Sequence, residues 1–279
     1  MGQEIRTLDL DGIRTAVEWA RREGWNPGLR DAEAFAAADP DGFSGLYVDG
    51  QLAATISLVT YSPEFAFLGF YIASPEFRGQ GLGLQLWTAA LARCTAATIG
   101  LDGVKAQQPA YRKSGFVLAH ENIRYGGLKP GGYAQLDLAL NPLGPGDAKE
   151  VDRFEQRHHL FPASRRGFLQ AWLGYEGMAL RRGGEIAGYG VIRPCHEGFK
   201  LGPLFADTVA DAETILRGLL TRAPEGMIFL DTPGTNPAAI DLAVSLGFQP
   251  MFETARMYRG STPALDTAKV FGITTFELG

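Results

Sequence analysis

The run Arg78-Gly79-Gln80-Gly81-Leu82-Gly83 joins a cation to three glycines at alternate positions. Glycine has no Cβ, so several backbone N–H groups can turn inward together. If a helix begins there, its unpaired donors and the positive end of its dipole face the same point. That chemistry binds an anion, and above all a phosphate. The spacing narrows the choice. A dinucleotide fingerprint needs a glycine at the sixth position counted from Gly79, where Leu84 stands, and a phosphate-binding P-loop needs Gly-Lys-Ser/Thr, which is absent.

The flanking residues supply the elements that must hold such a turn. Phe67 to Ala73 contains no charge, as expected of a strand buried on both faces, and Leu82, Leu86, Trp87, Ala90 and Leu91 fall at helical spacing. This strand, turn and helix, with Pro75-Glu76-Phe77 between them, resembles the acetyl-CoA signature of the GNAT superfamily of N-acetyltransferases. That signature is Arg/Gln-x-x-Gly-x-Gly/Ala, matched by Arg78, Gly81 and Gly83. The resemblance implies transfer of an acetyl group from acetyl-CoA to a primary amine by direct attack in a ternary complex. It implies that the backbone from Gly79 through Gln80, Gly81 and Leu82 to Gly83 holds the pyrophosphate, with Arg78 adding charge. It also implies that Tyr71, Ile72 and Ala73 pair with the pantetheine arm, an N–H there polarising the thioester carbonyl.

A second stretch, Gln107-Gln108-Pro109-Ala110-Tyr111-Arg112-Lys113-Ser114-Gly115-Phe116, resembles the family's Tyr-x-x-x-Gly-Phe helix. By that resemblance Tyr111 is the acid that protonates the departing CoA thiolate, a role suited to a phenol of pKa ≈ 10. Gln107 and Gln108 depart from the asparagine common upstream in the family. A base is harder to assign. Glu64 and Asp102 stand near the right strand ends, but loop solvation and strand-end capping explain each more simply, and water can carry the proton. Trp25 and Asn26, in Trp25-Asn26-Pro27-Gly28, occupy the segment that borders the acceptor in GNAT folds; a packed loop anchor is the other reading.

Other classes find less support. The chain of 279 residues carries a net charge of −5, which argues against a general nucleic-acid binder and permits a cationic acceptor. No basic apolar leader and no apolar run near ~20 residues is present, so a cytoplasmic protein with no membrane partner is expected. Cys94 and Cys195 fit no redox or metal motif, and the adjacent His158 and His159 have no acid or cysteine to complete a set, so no metal is expected. No Gly-x-Ser-x-Gly supports a hydrolase.

The plan of the first half recurs after Asn141-Pro142-Leu143-Gly144-Pro145-Gly146-Asp147, a Pro/Gly-rich stretch that reads as a linker. Gly184-Glu185-Ile186-Ala187 answers Gly50-Gln51-Leu52-Ala53, and Leu246-Gly247-Phe248 answers Ser114-Gly115-Phe116. Two α/β domains are therefore expected, each a mixed sheet flanked by helices: residues 1–140 for acetyl-CoA and catalysis, and 148–279 as a degenerate copy. The copy has Asp207 to Glu213 in place of the glycine turn and Ala243 in place of Tyr111. One CoA per chain follows, and a chain ending near Leu140 should still bind it. The second domain then braces the first or helps form the pocket of an amine acceptor, small molecule or peptide. The segment Lys269 to Glu277 reads as a terminal strand. A CoA-binding sensor without turnover is the alternative function, and a homodimer is compatible with the sequence.

Overall fold

The computed structural model describes residues 2–131 and 140–279. The first half runs β1 (Gln3–Thr7), α1 (Leu10–Arg22), α2 (Asp31–Ala38), β2 (Phe43–Val48), β3 (Gln51–Ser62), β4 (Phe65–Ala73), α3 (Leu82–Arg93), β5 (Thr98–Val104), α4 (Gln108–Lys113) and β6 (Val117–Leu128). The second repeats the strands: β7 (Leu140–Leu143), α5 (Ala148–Arg157), α6 (Arg166–Trp172), β8 (Glu176–Arg182), β9 (Glu185–Pro194), β10 (Phe199–Ala206), α7 (Val209–Leu220), β11 (Met227–Pro233), α8 (Pro237–Ser245) and β12 (Gln249–Arg259), closing with β13 (Val270–Gly272).

Local chemistry explains several boundaries. Asp9 caps α1 by accepting from the Gly12 N–H, and Ile13, Ala16, Val17 and Ala20 bury one face of that helix. Asp49-Gly50, both at positive φ, turns β2 into β3 as expected of a two-residue hairpin loop. Asp31 does not cap α2. Arg30 occupies the cap, and the buried Asp31 carboxylate instead accepts from the Gly28 N–H at 2.7 Å and the Tyr175 hydroxyl at 2.9 Å, fastening the α1–α2 loop to the second half.

The thirteen strands among the described residues belong to one mixed sheet in the order β1-β2-β3-β4-β5-β12-β6-β11-β10-β9-β8-β7, with β13 beside β10. The halves exchange their last long strands. β12 lies between β5 and β6, and β6 lies between β12 and β11. Ala255 and Met257 of β12 accordingly pack in the core of the first half with Leu101, Tyr111 and Phe116, while Tyr125 of β6 packs in the core of the second. Two sequence expectations change. The stretch 141–147 is not a free linker, since β7 pairs with β8 and Pro145–Asp147 forms a 3-10 turn into α5. The terminal strand is shorter than Lys269 to Glu277, because only Val270–Gly272 is a strand and the rest is a buried tail. Residues 132–139, at the end of the first expected domain, lie outside the described residues.

Candidate active site

β4 and β5 pair in parallel only from Phe65 with Thr98 to Leu68 with Leu101. Beyond Leu68 a bulge at Phe70, whose φ is +47°, turns β4 away, and the Thr55 hydroxyl holds the Phe70 carbonyl at 2.9 Å. β5 meanwhile continues along β12. The strands therefore splay, and the β5-facing edge of Gly69–Ala73 has no strand partner. A cavity of about 460 Å³ fills the gap, lined by Leu68–Ala73, Leu101–Val104, Arg78, Gln107, Tyr111, Glu23 and Trp25, and from the second half by Phe252, Thr254, Phe276 and Glu277.

The cavity reaches Arg78, the residue that opens the glycine turn. Gly79 and Gly81 stand at φ of +77° and +78°, and Gly81 caps α3 with no side chain bonded to the helix end, so the first N–H donors are left for a ligand. Gly83 follows in the first turn, where an added Cβ would lie 3.0 Å from the Tyr71 hydroxyl. Gln80 donates to the Glu76 carbonyl at 3.1 Å, and Leu82 is buried as the first residue of α3. Arg78 donates from Nε to the Ala73 carbonyl at 3.0 Å and pairs with Glu23, a half-exposed contact that an incoming anion can displace.

Tyr111, only 8% exposed, lies in α4 with its ring stacked on Trp87 at 5.5 Å. It also covers Gly103, where an added Cβ would fall 2.1 Å from the ring, so glycine is required opposite the tyrosine. Burial, with a smaller contribution from Tyr71, pushes the Tyr111 hydroxyl up to about 12, and it holds its proton at any physiological pH.

The remaining candidates separate. Trp25 lines the cavity, and its carbonyl is held by Arg124 Nη1 at 2.8 Å. Asn26 turns away: its amide exchanges two hydrogen bonds with the Glu197 backbone, at 2.9 and 3.0 Å, and Lys200 binds its carbonyl, so it anchors the loop to the second half rather than facing an acceptor. Glu64 lies exposed in the β3–β4 turn, outside the cavity. Asp102 lines the cavity but is committed, since Arg256 grips both carboxylate oxygens at 2.8 and 2.6 Å and Asn122 adds a third bond. Three donors already hold the Asp102 carboxylate and Glu64 stands outside the cavity, so neither carboxylate expected from the sequence is free within it. The structure brings in Phe252, Thr254, Phe276 and Glu277 instead. Their signal was faint: one acid, Glu277, in an otherwise uncharged closing run from Val270 to Gly279.

The equivalent gap in the second half is filled. β10 and β11 pair in parallel from Phe199 to Leu201, and beyond that point β13 takes the β10 edge while the Ile273 N–H reaches the Asp231 carbonyl at 2.8 Å. The α7 N-terminus is capped internally by Thr208, which accepts from the Asp211 N–H, and Asp211 pairs with Arg182 at 2.6 Å. No metal-binding cluster of three or more His, Cys, Asp or Glu, and no helix long and apolar enough to cross a membrane, occurs among the described residues.

Residues 10–116 match the acetyltransferase (GNAT) family and residues 155–272 an acetyltransferase (GNAT) domain, so both halves are recognised independently. A holothin acyltransferase of Pseudoalteromonas sp. (strain SANK 73390) is 33% identical over 98% of this chain and 94% of its own length. This chain belongs to the GNAT acyltransferases. It is a tandem member, an enzyme family rather than a sensor. The uncharacterized N-acetyltransferase YitH of Bacillus subtilis (strain 168) is 22% identical over 99% of the chain and 98% of its own. Among solved structures, an acetyltransferase from Pyrococcus horikoshii aligns with a TM-score of 0.84 at 21% identity, covering 100% of this chain and 96% of that one. A tandem GNAT protein from the clavulanic acid biosynthesis pathway aligns at 0.62 and 15%, covering 94% and 100%. At those identities the two structures share the GNAT fold.

Proposed function

We propose that the first half binds acetyl-CoA and transfers its acetyl group to a primary amine within a ternary complex, with Tyr111 as general acid. The observation that carries this reading is that Tyr111 lines a gap whose other wall is the unpaired backbone of Gly69–Ala73 and whose lining reaches Arg78, the first residue of the glycine turn. The N–H groups around Gly79, Gly81 and Gly83 would hold the pyrophosphate, Arg78 would exchange Glu23 for it, and the free edge at Tyr71, Ile72 and Ala73 would bind the pantetheine amides. Holding both reactants in one cavity is worth up to ~7–11 kcal/mol of the barrier when their alignment is good. The amine nitrogen attacks the thioester carbon, the C–S bond breaks, and Tyr111 donates to sulfur. Against a thiol of pKa about 8.5, a phenol near 12 transfers its proton uphill, so the transfer completes only as the proton leaving nitrogen is relayed to the phenolate. Thiol release from acetyl-CoA over an amine panel tests the reaction, and holothin heads that panel because the 33% identical relative acylates it.

Calorimetric titration should give one acetyl-CoA per chain, because the second gap is occupied by β13. Replacing both Gly81 and Gly83 by Glu should abolish that binding: position 81 needs a positive φ, position 83 meets the Tyr71 hydroxyl, and two carboxylates would repel a pyrophosphate. A stoichiometry near two, or binding that survives the double substitution, would refute the assignment. Trp25 should act on the acceptor alone. Removing its indole should raise the acceptor KM about tenfold, the order of one partly buried aromatic side chain, while leaving the acetyl-CoA KM within twofold; equal changes in both would make it a scaffold residue.

A further inference from the structure

We propose that Glu277, carried into the cavity by the C-terminal tail of the second half, takes the proton from the acceptor amine, and that the acceptor bears a single amino group on a flat apolar body. This rests on the acyl-transfer reading above. Three acidic residues, Glu23, Asp102 and Glu277, are among those that line the cavity. Glu23 is released when Arg78 turns to the pyrophosphate but is exposed to solvent, and Asp102 is held by Arg256 and Asn122. Glu277 is only 3% exposed, and its Oε1 has no hydrogen-bond partner among the described residues. A buried acceptor left unpaired is costly, and a ligand N–H would satisfy it.

The tail is built to hold that carboxylate still. The Thr275 hydroxyl accepts from the N–H groups of both Glu277 and Leu278 at 2.9 Å, and the Tyr61 hydroxyl donates to the Leu278 carbonyl at 3.0 Å. The Glu277 carbonyl lies against Gly69 so closely that an added Cβ would be 2.1 Å away, which seats Glu277 on the unpaired stretch of β4. Arg124 and Arg193 are near enough for the Glu277 carboxylate to raise their pKa values.

The same cavity sets the acceptor class. Trp25, Phe252 and Phe276 give it aromatic walls suited to a flat apolar body. One buried, unpaired carboxylate matches one ammonium, and the second charge of a polyamine would be buried without a partner. The step balances. An ammonium first gives one proton to solvent, the nitrogen lone pair forms the N–C bond, and the C–S electron pair goes to sulfur. The second nitrogen proton passes to Glu277 while the Tyr111 proton passes to sulfur, and a proton returning from Glu277 through water restores the phenol.

The test uses the full chain with 2-phenylethylamine, its uncharged counterpart 2-phenylethanol, and spermidine. Glu277→Gln, which keeps the shape, should lower kcat/KM for 2-phenylethylamine about 10- to 100-fold and weaken its binding to the CoA-loaded protein by about tenfold, the range of a charge-assisted hydrogen bond. Acetyl-CoA affinity and 2-phenylethanol binding should not change, and Glu277→Asp should recover part of the loss. Unchanged amine turnover and binding in Glu277→Gln would overturn the role of Glu277. Failure of the unaltered protein to bind 2-phenylethylamine, or tighter binding of spermidine, would overturn the acceptor class. Failure of the unaltered protein to bind acetyl-CoA would instead overturn the acyl-transfer reading itself.

Discussion

Tyr111→Phe should lower kcat by roughly 10²–10⁴ while leaving the dissociation constant of acetyl-CoA unchanged, the span usual for a lost general acid. In barrier terms that is about 3–5 kcal/mol, at 1.36 kcal/mol per tenfold. The substitution removes only the hydroxyl. The phenyl ring keeps its stack on Trp87 and its seat over Gly103, so fold and cofactor binding have no reason to suffer. A hydroxyl near pKa 12 also fixes a pH signature: it donates below that value, so no alkaline loss of turnover between pH 8 and 10 should trace to Tyr111. Stopped-flow thiol release at saturating acceptor, across that range, measures both. A kcat within threefold of the parent would show that solvent protonates the sulfur and that the tyrosine only packs.

The second large effect concerns the chain itself. A protein ending at Leu140 should fail to fold, contrary to the expectation drawn from the repeat. It would lose β12 from between β5 and β6, and β11 from the other side of β6, leaving β6 without a strand neighbour. It would also lose Ala255 and Met257 from the first core. Burial of Met257 alone is worth about 1.5–3 kcal/mol, and a typical domain has only about 5–15 kcal/mol in all. Circular dichroism and solubility of residues 1–140 alone check this. Co-expressing residues 1–139 and 140–279 as separate chains should restore a soluble pair, since the exchanged strands supply what each half lacks. A soluble, acetyl-CoA-binding fragment 1–140 would contradict the exchange as a folding requirement.

What was legible in the sequence was local. The uncharged strand, the alternating glycines and the Tyr111 motif each lie within a dozen residues, and each is set by its own backbone needs: positive φ at Gly79 and Gly81, and a bare position at Gly103 under the tyrosine. What failed depended on distant partners. Asp102 reads as a free acid until Arg256, 154 positions away, grips it, and Asn26 reads as a substrate ligand until Glu197, 171 positions away, takes its amide. No periodicity announces such pairs. The exchange of β6 and β12 is equally silent, because a strand has the same alternation whichever neighbour it joins.

The strand order reads the same from either end once β1 is matched to β7, β2 to β8, and so on to β6 and β12. A closed homodimer of one-domain subunits that swapped their final strands would have this order, with its twofold axis between β6 and β12. In such a dimer every substitution appears twice, so two identical sites must be kept or lost together. Written as one polypeptide, the two subunits are released from that symmetry. One gap could be surrendered to the chain end, and that chain end, passing through the surrendered site, could be recruited as a wall of the site that was kept.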